Sequence, residues 1–156
     1  MDKGCMQTNG LKLVEITRTG TPAAGAPPVG IVARDIVLLM SVLYAREGFV
    51  TPWIGYLALN DDTYVGMCAF KSPPNSNRVE IACQTFPDFQ GRGIGTQMTR
   101  ELVSLARHAQ PAVIIAAQTL PQKSASTAIL EKNGFELFGE LEHPDDGIVW
   151  EWHHRG

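Results

Sequence analysis

The chain is short of charge. Asp, Glu, Lys and Arg make up 19% of its 156 residues, against roughly 25% in an average soluble domain. A modest apolar surface is therefore expected, which a second copy of the chain would cover as a homodimer. Lysine and arginine nowhere cluster and the net charge is −3, which argues against nucleic acid as the main partner. Cysteine is scarce: Cys5, Cys68 and Cys83 are odd in number and widely spaced. They match neither a disulfide framework nor a zinc spacing, so no metal is expected. A long apolar run is also missing. The longest, Ile36 to Met40 and on through Tyr44 to Ala45, falls far short of the ~20 residues a membrane span needs. No charged-then-apolar leader precedes a small-residue cleavage site. The expectation is a cytoplasmic protein without a membrane partner. No internal repeat is visible.

What the sequence does hold is a hydrophobic fraction of 44%, enough for a globular chain. Residues 1–156 read as a single domain, long enough for a proper core. Met1 to Gly10 reads as a loose start and Leu11 to Thr17 as a first strand. Gly20 to Gly30, GTPAAGAPPVG, is too rich in proline, glycine and alanine to be regular and reads as a mobile loop. Ile31 to Glu47 is a helix, apolar nearly all round between Ile36 and Leu43, hence buried or packed on a partner. Gly48 stops it. Trp53 to Leu59 and Tyr64 to Lys71 are strands joined by the turn Asn60-Asp61-Asp62-Thr63. Trp53 and Tyr56 read as core, with an acceptor pocket as the alternative.

The stretch that organises the chain is Val79 to Thr96, VEIACQTFPDFQGRGIGT. From Arg78 to Phe86 the residues alternate as a strand, with Val79, Ile81, Cys83 and Thr85 on one face. Pro87 and Asp88 end it. Gln90-Gly91-Arg92-Gly93-Ile94-Gly95-Thr96 then feeds a helix whose apolar positions are Ile94, Met98, Leu102, Leu105, Ala106 and Ala109. A glycine-rich turn opening a helix presents unpaired backbone N–H groups at the positive end of the helix dipole. That is an anion cradle suited to a phosphate or pyrophosphate; the alternative is a tight turn binding nothing. A Walker loop would need Gly-Lys-Ser/Thr at its end, which is absent. A dinucleotide fingerprint wants Gly or Ala where this chain has Thr96, and an acid near Gln118.

Beyond the cradle, Val113 to Thr119 is an apolar run that suits a strand buried on both faces. Ser124 or Ser126 caps a helix running to Lys132, with Gly134 ending it. Phe135 to Glu142 and Ile148 to His153 close the chain as two strands. Trp150 and Trp152 share one face of the last strand and bury into the sheet or a dimer seam. The order is an α/β single domain with a mixed, mostly antiparallel central sheet.

Gln90-x-x-Gly93-x-Gly95, after a strand and before an amphipathic helix, resembles the coenzyme A loop of the GNAT acetyltransferases. The likeness extends over most of Pro52 to Trp152. Pro52-Trp53-Ile54-Gly55-Tyr56-Leu57, Gly66-Met67-Cys68-Ala69-Phe70-Lys71, Val79-Glu80-Ile81, Thr119-Leu120-Pro121, Ala125-Ser126-Thr127, Leu130-Glu131-Lys132-Asn133-Gly134-Phe135 and Gly147-Ile148-Val149-Trp150-Glu151-Trp152 are each similar to its RimJ/RimL-like branch. The resemblance implies a GNAT-like acyl-CoA N-acyltransferase fold and acetyl-CoA as donor. Two positions depart from the pattern. Lys123 and Ser124 stand where the branch usually has an Asn that helps hold the cofactor, and Leu130 stands where other GNAT branches carry a tyrosine acid.

Acetyl transfer needs a neutral amine. A lysine-like amine of pKa ~10.4 costs roughly 4–5 kcal/mol to deprotonate at pH 7, and an α-amino group of pKa ~8 far less. A positioned base is typically worth ~10²–10⁴-fold. The resemblance places Glu80 on the acceptor side as that base; the alternative is a strand carboxylate paired with a nearby Arg or Lys. Ser126 is the candidate donor to the departing sulfur, with helix capping as its rival role. Backbone groups of Thr85 and Phe86 are expected to pair with the pantetheine arm, and Gln90, Gly91, Arg92, Gly93, Ile94, Gly95 and Thr96 to hold the pyrophosphate. Cys83 reads as core rather than an acyl carrier. The function implied is an N-acetyltransferase acting on a primary amine, a protein terminus or a small molecule. The alternative is a coenzyme A-binding sensor or interaction module with little catalysis.

Overall fold

The computed structural model describes residues 10–155. The loose start expected over residues 1–10 lies, Gly10 apart, outside them, as does Cys5. The elements are β1 (Leu11–Glu15), α1 (Ile31–Glu47), β2 (Gly55–Asn60), β3 (Thr63–Phe70), β4 (Arg78–Thr85), α2 (Ile94–Ala109), β5 (Ile114–Thr119), α3 (Ala125–Lys132), β6 (Glu136–His143) and β7 (Gly147–His154). The seven strands form a sheet in the order β1-β2-β3-β4-β5-β7-β6. Neighbours are antiparallel except β4 and β5, which run parallel. This is the expected mixed, mostly antiparallel α/β sheet. Asp61 takes φ 56° in the β2–β3 turn, a left-handed conformation that Asp tolerates better than most residues.

Two glycines show how the helices seat on opposite faces. In the strand register Gly55 pairs with Ala69, so Gly55, Met67 and Ala69 share one face of the sheet and Gly66 lies on the other. A Cβ on Gly55 would stand 2.7 Å from Met40 Cε of α1, and one on Gly66 3.0 Å from Met98 Cε of α2. Each methionine fills the space an absent side chain leaves. The helix faces follow. Ala33, Val37, Met40 and Tyr44 of α1 are buried at spacings of three and four residues. Tyr44 Oη donates to the Ile16 carbonyl at 2.8 Å and accepts from the Gly55 N–H at 3.0 Å, pinning α1 to β2.

Leu38, Leu39 and Val42, on the other side of α1, are exposed. The near-uniform apolar character of this helix therefore does not mean full burial; one face enters the core and one is left open. On α2, Ile94, Met98, Leu102 and Ala106 are buried. The Arg107 guanidinium closes its far end by donating to the carbonyls of Pro111, Val113 and His154. Ile115, Ala116 and Ala117 of β5 are buried, as a strand covered on both faces requires. Trp152 is buried and Trp150 partly so.

Candidate active site

The site begins where the sheet comes apart. β4 and β5 pair only from Arg78 to Glu80 with Ile114 to Ala116. Beyond Glu80 the two strands diverge, and Ala82, Cys83 and Gln84 are exposed although β4 lies in the middle of the sheet. The gap holds a cavity of about 100 Å³ lined by Ile81, Cys83, Ala117, Gln118, Ser126 and Ile129, among others. A second cavity of about 610 Å³ shares Cys83, Ser126 and Ile129 with it and extends over the glycine loop to Lys132. The two form a continuous groove from the loop to the strand divergence.

Hydrogen-bond alternation decides which backbone groups face that groove. The Lys71 N–H donates to the Glu80 carbonyl at 2.8 Å and the Phe86 N–H to the Val65 carbonyl at 2.9 Å. Even-numbered residues of β4 thus spend their backbone groups on β3; the odd-numbered ones face β5, and past the Glu80–Ala116 pair Cys83 and Thr85 turn theirs toward the groove. The expectation for Phe86 is corrected here: its N–H is already donated and its ring is buried. Thr85 turns its backbone groups to the groove, and so does Cys83 beside it. Gln90 Nε2 donates to the Thr85 carbonyl at 3.4 Å.

The loop has the form the glycines suggested, with the glycines doing different jobs. Gly91 and Gly93 take φ 79° and 78°, which L side chains rarely adopt, and nothing lies within 4 Å of where a Cβ would be. They serve the turn. Gly95 serves packing, since its Cβ would lie 2.7 Å from Ile129 Cδ1 of α3. Gly93 is the N-cap of α2, no side chain caps that helix, and its first turn carries no acid. The amino-terminal N–H groups are left without a side-chain acceptor, the condition in which helix starts bind anions. Ile94 is buried behind the loop. Arg92 places its guanidinium 5.6 Å from the Phe89 ring centre. Asn133 Nδ2 donates to the carbonyls of Thr96 and Ile129 at 3.3 and 3.0 Å, tying the loop end of α2 to α3.

Ser124, rather than Ser126, caps α3: its hydroxyl accepts the Thr127 N–H at 3.4 Å, and the Thr127 hydroxyl accepts the Ser124 N–H at 2.9 Å. The rival role for Ser126 falls away, and Ser126 lines both cavities. Lys123 pairs with Glu131 at 2.7 Å. Cys83 is corrected from core to groove lining; its Sγ lies 3.5 Å from Thr99 Oγ1. Trp53 and Tyr56 are buried, the core reading.

Glu80 sits at the point of divergence inside a network of charges on one face of the sheet. Lys71 Nζ lies 2.7 Å from Glu80 Oε2 and Arg78 Nη2 3.7 Å from Oε1. The lysine is within ion-pair distance but outside hydrogen-bond angles, so the buried Oε2 keeps unused acceptor capacity. Arg78 is committed elsewhere. Its Nη2 and Nε donate to the two oxygens of Glu151 at 2.7 and 3.2 Å, and Gln118 Nε2 donates to Glu151 Oε1 at 3.1 Å. His153 Nε2 lies 2.7 Å from Glu151 Oε2. Burial alone would push the Glu151 carboxyl up; the hydrogen bonds from Arg78, His153 and Gln118 outweigh it and bring it down to about 2. Phe138, the extra residue of a β6 bulge, stacks on the His153 ring at 4.1 Å. Among the described residues no group of three His, Cys, Asp or Glu is placed to hold a metal ion.

Residues 33–136 match the family described as acetyltransferase (GNAT) domain. No curated protein sequence matches the chain. Solved structures do. The chain resembles RimL, a ribosomal alpha-N-protein acetyltransferase in an apo crystal form, at 20% identity and a TM-score of 0.69, over 94% of this chain and 93% of that one. An acetyltransferase from Salmonella typhimurium, described as modifying the N-terminal serine of a ribosomal protein, is 19% identical with a TM-score of 0.63, over 80% and 74% of the two chains. An aminoglycoside acetyltransferase in complex with coenzyme A is 23% identical with a TM-score of 0.56, over 65% of each chain. At these identities the likeness is one of fold.

Proposed function

The chain belongs to the GNAT acetyltransferase family, and from that premise we propose that it transfers acetyl from acetyl-CoA to a primary amine by direct attack in a ternary complex. The observation that carries this reading is the open seam between β4 and β5, continuous with the uncapped start of α2. A groove of that form has uncapped helix N–H groups at one end and free strand N–H and C=O groups along its wall, and Glu80 is the last residue paired before the seam opens. It fits a pyrophosphate followed by an amide-bearing arm. In this reading Gln90, Gly91, Arg92, Gly93, Ile94, Gly95 and Thr96 hold the pyrophosphate. The backbone of Thr85 and Cys83 aligns the arm.

Acetyl-CoA supplies an activated acyl group with a thiol as leaving group. The chain supplies proton handling. Glu80 Oε2, buried and short of hydrogen bonds, takes a proton from the entering ammonium, directly or through water. Ser126, free of capping duty, donates toward the departing sulfur. The acceptor is a protein amino terminus or a small-molecule amine. We place the protein in the cytoplasm as a homodimer without nucleic-acid or membrane partners. The exposed Leu38, Leu39 and Val42 on α1 and Leu137, Phe138, Leu141 and Ile148 near the β6 edge support self-association. No helix among the described residues is long and apolar enough to cross a membrane.

The ion pairing of Glu80 favours a second reading, a coenzyme A-binding module with little turnover. An amine panel followed by free-thiol detection separates the two, with calorimetry of acetyl-CoA uptake alongside. The enzyme reading expects thiol release with some amine, and expects Glu80→Gln to keep acetyl-CoA affinity while lowering turnover by ~10²-fold or more. Full turnover in that variant removes Glu80 from the chemistry. Uptake with no release for any amine leaves the module.

A further inference from the structure

Lys71 holds a primary amine against Glu80, the base of the proposed transfer. It follows β3, and its backbone N–H donates to the Glu80 carbonyl at 2.8 Å, so the two residues are cross-strand partners with side chains on the same face. Its Nζ reaches over β4 to within 2.7 Å of Glu80 Oε2. That oxygen belongs to the carboxylate at the last paired residue before the seam opens, and it is buried without a hydrogen bond of proper geometry.

The other cation near Glu80 is not free to move. Arg78 is locked to both oxygens of Glu151, which Gln118 and His153 hold in turn, and it reaches Glu80 only at 3.7 Å. Lys71 is bound to nothing else described, and its side chain is 49% exposed. A flexible primary amine is therefore held against an oxygen with spare acceptor capacity, beside the point where β4 and β5 part. An arginine in its place would offer no nucleophile.

We propose that Lys71 is an acceptor of the chain's own acetyl transfer. This rests on the acetyl-CoA reading above. The Lys71 ammonium gives a proton to Glu80, and the neutral Nζ forms a bond to the acetyl carbonyl carbon as the carbon–sulfur bond breaks. The thiolate takes up a proton and one proton goes to solvent. The net change is lysine ammonium plus thioester to N-acetyl-lysine, free thiol and a proton. The product is a neutral amide that no longer balances Glu80, leaving that carboxylate to an incoming cationic amine.

The test incubates the full chain with acetyl-CoA and no amine, then reads intact mass and maps the modified peptide. Acetyl-CoA uptake is measured by calorimetry on the same preparation. The expected result is a single acetyl group on Lys71, formed at a rate independent of protein concentration. It is absent in Lys71→Arg, which keeps the charge, and slowed ~10²-fold in Glu80→Gln. A chain that takes up acetyl-CoA yet stays unmodified at Lys71 overturns the proposal and leaves the acetyltransferase reading standing. So does labelling that spreads over the lysines in proportion to protein concentration and ignores Glu80→Gln. No uptake at all removes both.

Discussion

Replacing Arg78 with methionine, of similar length and without charge, tests whether the network around Glu151 is electrostatic support or mere packing. Glu151 is 4% exposed, and its carboxyl falls from an ordinary 4.5 to about 2 in the folded chain. At ~1.36 kcal/mol per pH unit that gap contributes about 3 kcal/mol of stability at neutral pH. Because the folded value is depressed, the contribution is complete above pH 4.5 and drains away as pH falls toward 2. Arg78 is one of three donors and its side chain is 36% exposed, so solvent screens part of its effect. We expect Arg78→Met to lose about 2 kcal/mol at pH 7 by urea unfolding. At pH 3 the wild type has itself forfeited more than half of the term, and the gap between the two proteins should shrink to about 1 kcal/mol or less. Equal destabilisation at both pH values, with unchanged urea slopes, would refute the electrostatic account and make Arg78 a packing residue.

Three further outcomes follow from contacts at the site and beneath it. Ser124→Ala should cost about 1 kcal/mol, read as a lower melting temperature, because it opens the capping box of α3. Ser126→Ala should leave melting unchanged and lower turnover, and a reversed pattern in this pair would return Ser126 to the cap. Gly93→Ala forces an L side chain into φ 78° and should destabilise by about 1–2 kcal/mol, with acetyl-CoA affinity falling as well in calorimetry. Tyr44→Phe strands the Ile16 carbonyl and the Gly55 N–H and should cost about 1–3 kcal/mol in urea unfolding.

Much of this architecture was legible because local signals agreed. The α1 bounds at Ile31 and Glu47 and the turn at Asp61 followed from periodicity, a stop glycine and turn chemistry. The glycine loop was readable as a tight turn opening a helix, since three alternate glycines precede an amphipathic run, with an anion cradle and an empty turn as its two uses. What pattern could not supply was the pairing across distance. Arg78 and Glu151 lie 73 positions apart, and no spacing rule links them. Cys83 looked like core because alternation assigns it to the face of Val79 and Ile81, yet the strand beside it turns away. Phe86 failed for a related reason. Which edge of a strand its N–H serves depends on register with β3, not on the residue. Ser124 and Ser126 were equal on sequence, and only the position of the Thr127 hydroxyl separates them.

Three paired residues are all that join the two halves of the sheet edge to edge, β1 to β4 on one side and β5, β7 and β6 on the other. A molecule lying in the gap would act as a guest strand, completing ladders that the polypeptide leaves unfinished. Loading the donor is then an act of construction as much as of capture. Amides of Cys83 and Thr85 should exchange with deuterated water far more slowly once coenzyme A is present, as the two halves are sewn into a single rigid sheet.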